Sequence, residues 1–143
     1  MQITTKGRYA IMAMLYLAKE EKSEKPISLL AISEKQGISL SYLEQLFARL
    51  RKENLVSSYK GPGGGYILNK AAENISVKDI IDAVDENIDL RRCGGLKDCL
   101  PNKPCIGHYL WSNISDKMYE QLAVTSLKSV IQDYNKNILK EQA

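Results

Sequence analysis

Four residues of the kinds that bind metals fall in one short stretch: Cys93, Cys99, Cys105 and His108, separated by five, five and two residues. They include every cysteine and the only histidine of the 143-residue chain. Thiolate and imidazole are the ligands of zinc and of iron–sulfur clusters. Structural Cys3His zinc usually includes a close Cys-x2–4-Cys pair, so two five-residue gaps suit a wider two-iron centre better, and spacing alone leaves both open. Arg91, Arg92, Lys97 and Lys103 flank the thiols and would lower their pKa values, which adds a bare thiol redox sensor as a third reading. Three cysteines cannot all pair within one chain, so a secreted disulfide scaffold fits poorly. From Asn87 to Pro104 hydrophobic periodicity disappears, and Gly94, Gly95, Pro101 and Pro104 interrupt the chain. That segment is expected to be an irregular loop held by something other than an apolar core, as a metal centre would hold it.

A second set of residues lies on the polar side of a helix. Leu40, Leu43, Leu46, Phe47 and Leu50 recur at three- and four-residue steps. Packing that stripe leaves Ser39, Ser41, Tyr42, Glu44, Gln45, Arg49, Arg51 and Lys52 free. Ahead of it, Ser28 starts a helix of about two turns carrying Leu29, Leu30 and Ile32, and Gly37 ends it. Two short helices joined by a tight glycine turn make a helix-turn-helix. The N-terminal part of its second helix would reach base edges through Ser41, Tyr42, Glu44 and Gln45, with Gln45 suited to adenine and Glu44 to the cytosine amino group. Arg49, Arg51 and Lys52 would meet phosphates. The plainer alternative makes Glu44 half of a capping box with Ser41, and the basic residues a solvated face.

Asn54 suits a helix stop. After it, Leu55 to Lys60 reads as a strand, Gly61-Pro62-Gly63-Gly64-Gly65 as a hairpin tip and Tyr66-Ile67-Leu68 as the return strand. A hairpin directly behind a helix-turn-helix is a wing. The bare backbone of Gly61, Gly63 and Gly64 could enter a minor groove, with Tyr59 and Lys60 at its base; otherwise the segment is an ordinary glycine turn. It is no phosphate-binding P-loop, because no Gly-Lys-Ser/Thr opening a helix follows.

Thr5 is expected to open a first helix through the ten-residue apolar run Tyr9–Ala18. Lys6 and Arg8 ahead of that run imitate an export signal. Cleavage after Ala18 would place the large Tyr16 where a small residue is needed, and the run is half the ~20 residues that span a bilayer. The expected setting is cytoplasmic, with no membrane partner. Lys19 to Pro26 reads as a connector. Ser76 caps a helix with Val77, Ile80, Ile81 and Val84 on one side and Asp79, Asp82, Asp85 and Glu86 on the other. From Tyr109 helical spacing resumes through Trp111, Ile114, Met118 and Leu122, a stripe that would serve dimer contacts or pack on the first helix. Thr125 or Ser126 would cap a last short helix with Leu127, Val130 and Ile131.

Composition limits the alternatives. With 44% hydrophobic and 26% charged residues the chain is an ordinary globular protein. The net charge of +3 is mild, but residues 1–70 hold 11 Lys+Arg against 6 Asp+Glu, whereas the remainder holds 9 against 11. The basic half is the one with the helix-turn-helix. No nucleotide motif or second redox site supports an electron-transfer or redox enzyme, so an enzyme is not expected. A DNA-binding protein with structural zinc is the other competing class.

The segments Thr5-Lys6-Gly7-Arg8-Tyr9-Ala10, Gln36 to Phe47, Gly61-Pro62-Gly63-Gly64-Gly65-Tyr66 and Ala83-Val84-Asp85-Glu86, together with the Cys/His spacing, resemble the IscR-type iron–sulfur cluster regulators of bacteria. The likeness runs from residue 1 to about residue 125. It implies a mainly α fold with a small β-hairpin wing. The winged helix-turn-helix head would span residues 1–86, a cluster-binding loop 87–108, and a dimerisation helix with a short C-terminal helix 109–143. It implies a homodimer on double-stranded DNA, at a pseudo-palindromic operator. A [2Fe-2S] cluster would sit on Cys93, Cys99, Cys105 and His108, supplied by a cluster-assembly scaffold. Cluster occupancy would then select promoters, including those for cluster assembly, for repression or activation. Related redox and nitric-oxide sensors share the head and differ around the cysteines. Where such regulators often carry Arg before the wing glycines this chain has Lys60, which fits a narrow minor groove less well.

Overall fold

The computed structural model describes residues 4–142. Six helices and one hairpin follow in the order α1 (Thr5–Lys19), α2 (Leu29–Gln36), α3 (Leu40–Lys52), β1 (Val56–Tyr59), β2 (Gly65–Leu68), α4 (Val77–Ala83), α5 (His108–Val124) and α6 (Leu127–Glu141). Single 3₁₀ turns lie at Glu21–Ser23 and Ala72–Asn74. The architecture is the expected one, mainly helical with a two-stranded antiparallel wing.

Local chemistry sets most boundaries. The Ser28 and Ser126 hydroxyls accept from the amides of Ala31 and Ser129, at the starts of α2 and α6. Ser76 and Asp79 close a reciprocal capping box on α4. At α3 it is Ser39 that caps, accepting from Tyr42 N at 3.4 Å, so the Ser41–Glu44 capping box does not form. Gly37 ends α2 at φ +66°, and Asn54 follows α3 at φ +59°.

The core is built from one face of each helix except α5. Ala10, Ala13, Met14 and Leu17 of α1 meet Leu43, Leu46, Phe47 and Leu50 of α3, Ile80 of α4, Val84 just beyond it, and Leu127 of α6. Phe47 also stands edge-on to Tyr66 at 4.8 Å, which fixes the wing to α3. The wing pairs Val56 with Leu68 through Tyr59 with Gly65, and Ile27 adds a bridge to Tyr66. At the tip Gly64 N donates to Gly61 O at 2.9 Å, and a Cβ at Gly64 would fall 2.3 Å from the Tyr59 carbonyl oxygen. Only glycine fits that tip.

Several expectations need correction. Thr4, not Thr5, precedes α1, and its hydroxyl bonds Glu86 instead of capping the helix. Glu86, expected on the solvated side of α4, is buried. Leu30 and Leu40, counted in apolar stripes, are exposed. Helix α5 starts at His108 and packs on α4. The last helix is not short: it runs for 15 residues. The polar run Gln132, Asp133, Asn135, Lys136 and Asn137 hid the continuing spacing through Tyr134 and Ile138.

Candidate metal centre and nucleic-acid interface

Cys93, Cys99, Cys105 and His108 line one open cavity of about 360 Å³, together with Leu90, Arg91, Arg92 and Trp111. His108 opens α5 and is 4% exposed, its amide donating to Cys105 O at 3.1 Å. Cys99 is exposed, while Cys93 and Cys105 are half-buried. The donor atoms of Cys93, Cys99 and Asp98 lie within 4.8 Å of one another. Asp98 is a carboxylate at the site that the sequence reading did not single out.

The three thiols are not equivalent. The backbone amide of Gly95, and then that of Lys97, hold the Cys93 thiol below its usual range. Desolvation first, and then its Cys93 and Cys105 neighbours, push Cys99 up to about 11. Left-handed residues at Gly94, Gly95 and Lys97 turn the chain back around Cys93. Clustered thiols that cannot ionise together favour a cation among them.

Trp111 sits in this site as much as in the stripe assigned to it. Its indole Nε1 lies 2.7 Å from where a Cβ of Gly107 would be, and the side chain walls the cavity. Ile114, Met118 and Leu122 remain half-exposed along α5.

The other face of interest belongs to α3 and the wing. Ser39, Ser41, Glu44 and Gln45 are exposed, and the Ser39 and Ser41 hydroxyls lie 3.1 Å apart. Tyr42 is half-buried because its ring stands edge-on to Tyr9 at 5.8 Å. Arg49 is engaged within the chain, donating to Val84 O at 3.2 Å and pairing with Asp85 at 3.4 Å. Arg51 reaches Ser58 Oγ at 3.2 Å, tying α3 to the wing, and Lys52 is exposed. Tyr59, Lys60, Gly61 and Gly63 are exposed at the wing, with Gly64 behind them.

A family model described as an iron-dependent transcriptional regulator, Rrf2, matches residues 3–133. The chain belongs to the Rrf2 family. It is 51% identical over 131 residues to the HTH-type transcriptional regulator IscR of Photorhabdus laumondii, covering 92% of this chain and 79% of that relative. Among solved structures, IscR of T. potens superposes with a TM-score of 0.77 at 35% identity, over 94% of this chain and 88% of that one. CymR, the global cysteine regulator of B. subtilis, gives the same TM-score and identity over 91% and 95%. This Rrf2 member is therefore a DNA-binding transcriptional regulator, not an enzyme, and DNA is its partner. Among the described residues no helix is long and apolar enough to cross a membrane.

Sequence reasoning missed Asp98, the Trp111 wall of the cavity and the engagement of Arg49 with the end of α4. Only the first left a local signal: Asp98 adjoins Cys99 in sequence and is a ligand type in its own right.

Proposed function

We propose that this Rrf2 regulator senses iron–sulfur cluster supply through a [2Fe-2S] cluster held by Cys93, Cys99, Cys105 and His108, and so controls cluster-assembly and related promoters. The observation that carries the reading is the convergence of three thiols and a buried imidazole on one cavity, in a loop with no apolar core of its own. The donor set fits the group: soft thiolates with one histidine suit an iron–sulfur centre. When bound, the cluster supplies an anchor for the loop whose presence and charge depend on iron, sulfide and redox state.

What the loop can bias is set by its neighbour. Glu86, one residue before residue 87, bonds the N-terminus of α1, while Val84 and Asp85 hold Arg49 of α3. Ordering residues 87–108 acts on that junction, and a difference in DNA affinity follows if the two loop states place α3 differently. Ser41, Tyr42, Glu44 and Gln45 face bases, with Ser39 beside them at the start of α3; Arg51 and Lys52 lie toward phosphates, while Arg49 is held by Val84 and Asp85. The Tyr59–Gly64 wing, with Lys60, Gly61 and Gly63, enters the minor groove. Trp111, Ile114, Met118 and Leu122 form the contact between two copies, which sets two recognition helices about one turn of DNA, or a multiple of it, apart on a pseudo-palindrome. A cluster-assembly scaffold donates the cluster, and the setting is cytoplasmic.

A second reading rests on Asp98. An oxygen donor beside Cys93 and Cys99 also suits zinc, which would make the loop structural and DNA binding constitutive. Anaerobic purification with a visible spectrum and iron, sulfide and zinc analysis decides between them. Brown protein with about two irons and two sulfides per chain, lost in Cys99→Ala, is the expected result. Colourless protein with about one zinc per chain would overturn the sensor and leave the DNA-binding head.

A further inference from the structure

The first turn of the loop is held by side chains. Leu90 donates its amide to Ser115 Oγ at 2.9 Å, and Ser115 is fully buried in the middle of α5. The same hydroxyl lies 3.4 Å from Asp89 Oδ1. Asp89 in turn accepts from the Arg91 amide at 2.8 Å, from Nε at 2.9 Å and from Nη2. The side chains of this pair are 11% and 25% exposed, whereas those of the other ion pairs are 37% to 84% exposed. Exposed pairs contribute little; this one is built in.

The flat face of the guanidinium lies against the next turn, with Nη1 3.0 Å, Cζ 3.1 Å and Nη2 3.3 Å from where a Cβ of Gly95 would be. Gly95 holds φ +95°. Gly94 N donates to Arg91 O at 3.2 Å and closes the same turn. Contacts therefore run without a break from Ser115 through Asp89 and Arg91 to the turn that follows Cys93. The helix at the far end of that line is the one that begins with His108.

We propose that Asp89 and Arg91 form a positioning brace that holds the Cys93 end of the loop at a fixed separation from α5, so that Cys93 and His108 are presented to one metal centre together. The proposal rests on the reading of the loop as a metal site. A planar guanidinium can bind a carboxylate along one edge and support the turn with its flat face; an ammonium cannot do both. Groups of this kind, which orient ligands without touching metal, cost about 10- to 100-fold in metal affinity when removed.

The test compares the full chain with Asp89→Asn, Arg91→Gln, Arg91→Lys and the Asp89→Asn/Arg91→Gln double variant, each reconstituted anaerobically with ferrous iron and sulfide. Cluster loss to a chelator is expected to be about tenfold faster in each of the first two. It should be no faster in the double variant than in the worse single one, and not restored by Arg91→Lys. The first two substitutions change the local charge in opposite directions. The reduction potential should therefore fall in Arg91→Gln and rise in Asp89→Asn while retention falls in both. Retention that follows charge, adds in the double variant or stays at the parent's value would overturn the brace. A parent chain that takes up no cluster would end the cluster reading instead. In that case amide exchange at Leu90 and Gly94 in the metal-free chain still decides the brace. Faster exchange in both single variants supports it, and unchanged exchange overturns it.

Discussion

The carboxylate of Glu86 sits on the open N-terminus of α1, where its Oε2 accepts the Gly7 amide at 2.8 Å and the Thr4 hydroxyl. An anion there satisfies amides that have no partner within the helix and opposes the positive end of its dipole. Glu86 is 7% exposed, so water cannot replace it. Glu86→Ala is expected to destabilise the chain by about 1.5–3 kcal/mol, the range for hydrogen bonds to a charged group. Urea unfolding of the two proteins checks this, and a loss under ~0.5 kcal/mol would count against the contact.

Acid should release the Asp89 brace. Its carboxyl is held below the usual range by the Arg91 side chain, with backbone and Ser115 hydrogen bonds helping against the opposing effect of burial. A depressed folded-state value means that the stabilisation is complete above the unfolded value, about 3.9, and is lost as pH falls through the lower folded one. The stability gap between the parent and Asp89→Asn should therefore be constant near neutrality and close only below about pH 4. A gap that widens on acidification would contradict the assignment.

On DNA, position and charge should separate. Arg51→Ala is expected to weaken binding to all sequences alike and to reduce the salt slope by about 0.9 for each phosphate that the arginine neutralises. Glu44→Ala and Gln45→Ala should instead change which bases are preferred, by roughly 1–3 kcal/mol of discrimination. Binding across a site library measures both. Equal reductions from the two kinds of variant would remove the division.

The Gly64 tip makes a sharper case. A Cβ there would meet the Tyr59 and Gly61 carbonyl oxygens at 2.3 and 2.8 Å, and backbone cannot yield as a side chain does. Gly64→Ala should deform the wing and weaken DNA binding while leaving the thermal unfolding of the head within a few degrees of the parent. Unchanged affinity would mean that the tip does not touch DNA.

Metal ligands bind only in their deprotonated forms, imidazole and thiolate alike, so cluster binding depends on pH and on which ligands hold it. Cluster retention followed down the pH scale should take a different course in the parent and in a His108→Cys chain that still takes up a cluster. Superimposable profiles would remove His108 from the ligand set.

What could be read from the sequence was local. Ser28, Gly37 and Asn54 announce helix ends through their own backbone chemistry, and the glycine run between two short β-rich stretches announces the wing. The convergence of Cys93, Cys99, Cys105 and His108 on one cavity was legible for the same reason, since all four lie between residues 93 and 108. Glu86 was not, because its partner Gly7 is 79 residues away and its aspartate-rich surroundings suggest a solvated face. Arg91 read as one of four flanking charges. Its distinction comes from Asp89 and from Ser115 on another element, a relationship that no periodicity carries.

Leu127 is fully buried in the core of the head, and around it Leu127 N donates to Ile75 O at 3.0 Å and Val77 N to Thr125 O at 2.8 Å. The chain thus returns, after the loop and the roughly 25 Å of α5, to fasten beneath α4. Helix α5 is a handle held to the loop at its start by His108 and at its middle by Ser115, and to the head just past its end by Leu127. A DNA-binding fragment that stopped before Leu127 would lose the plug of its own core, so the smallest piece of this protein that can stand alone has to carry the handle with it.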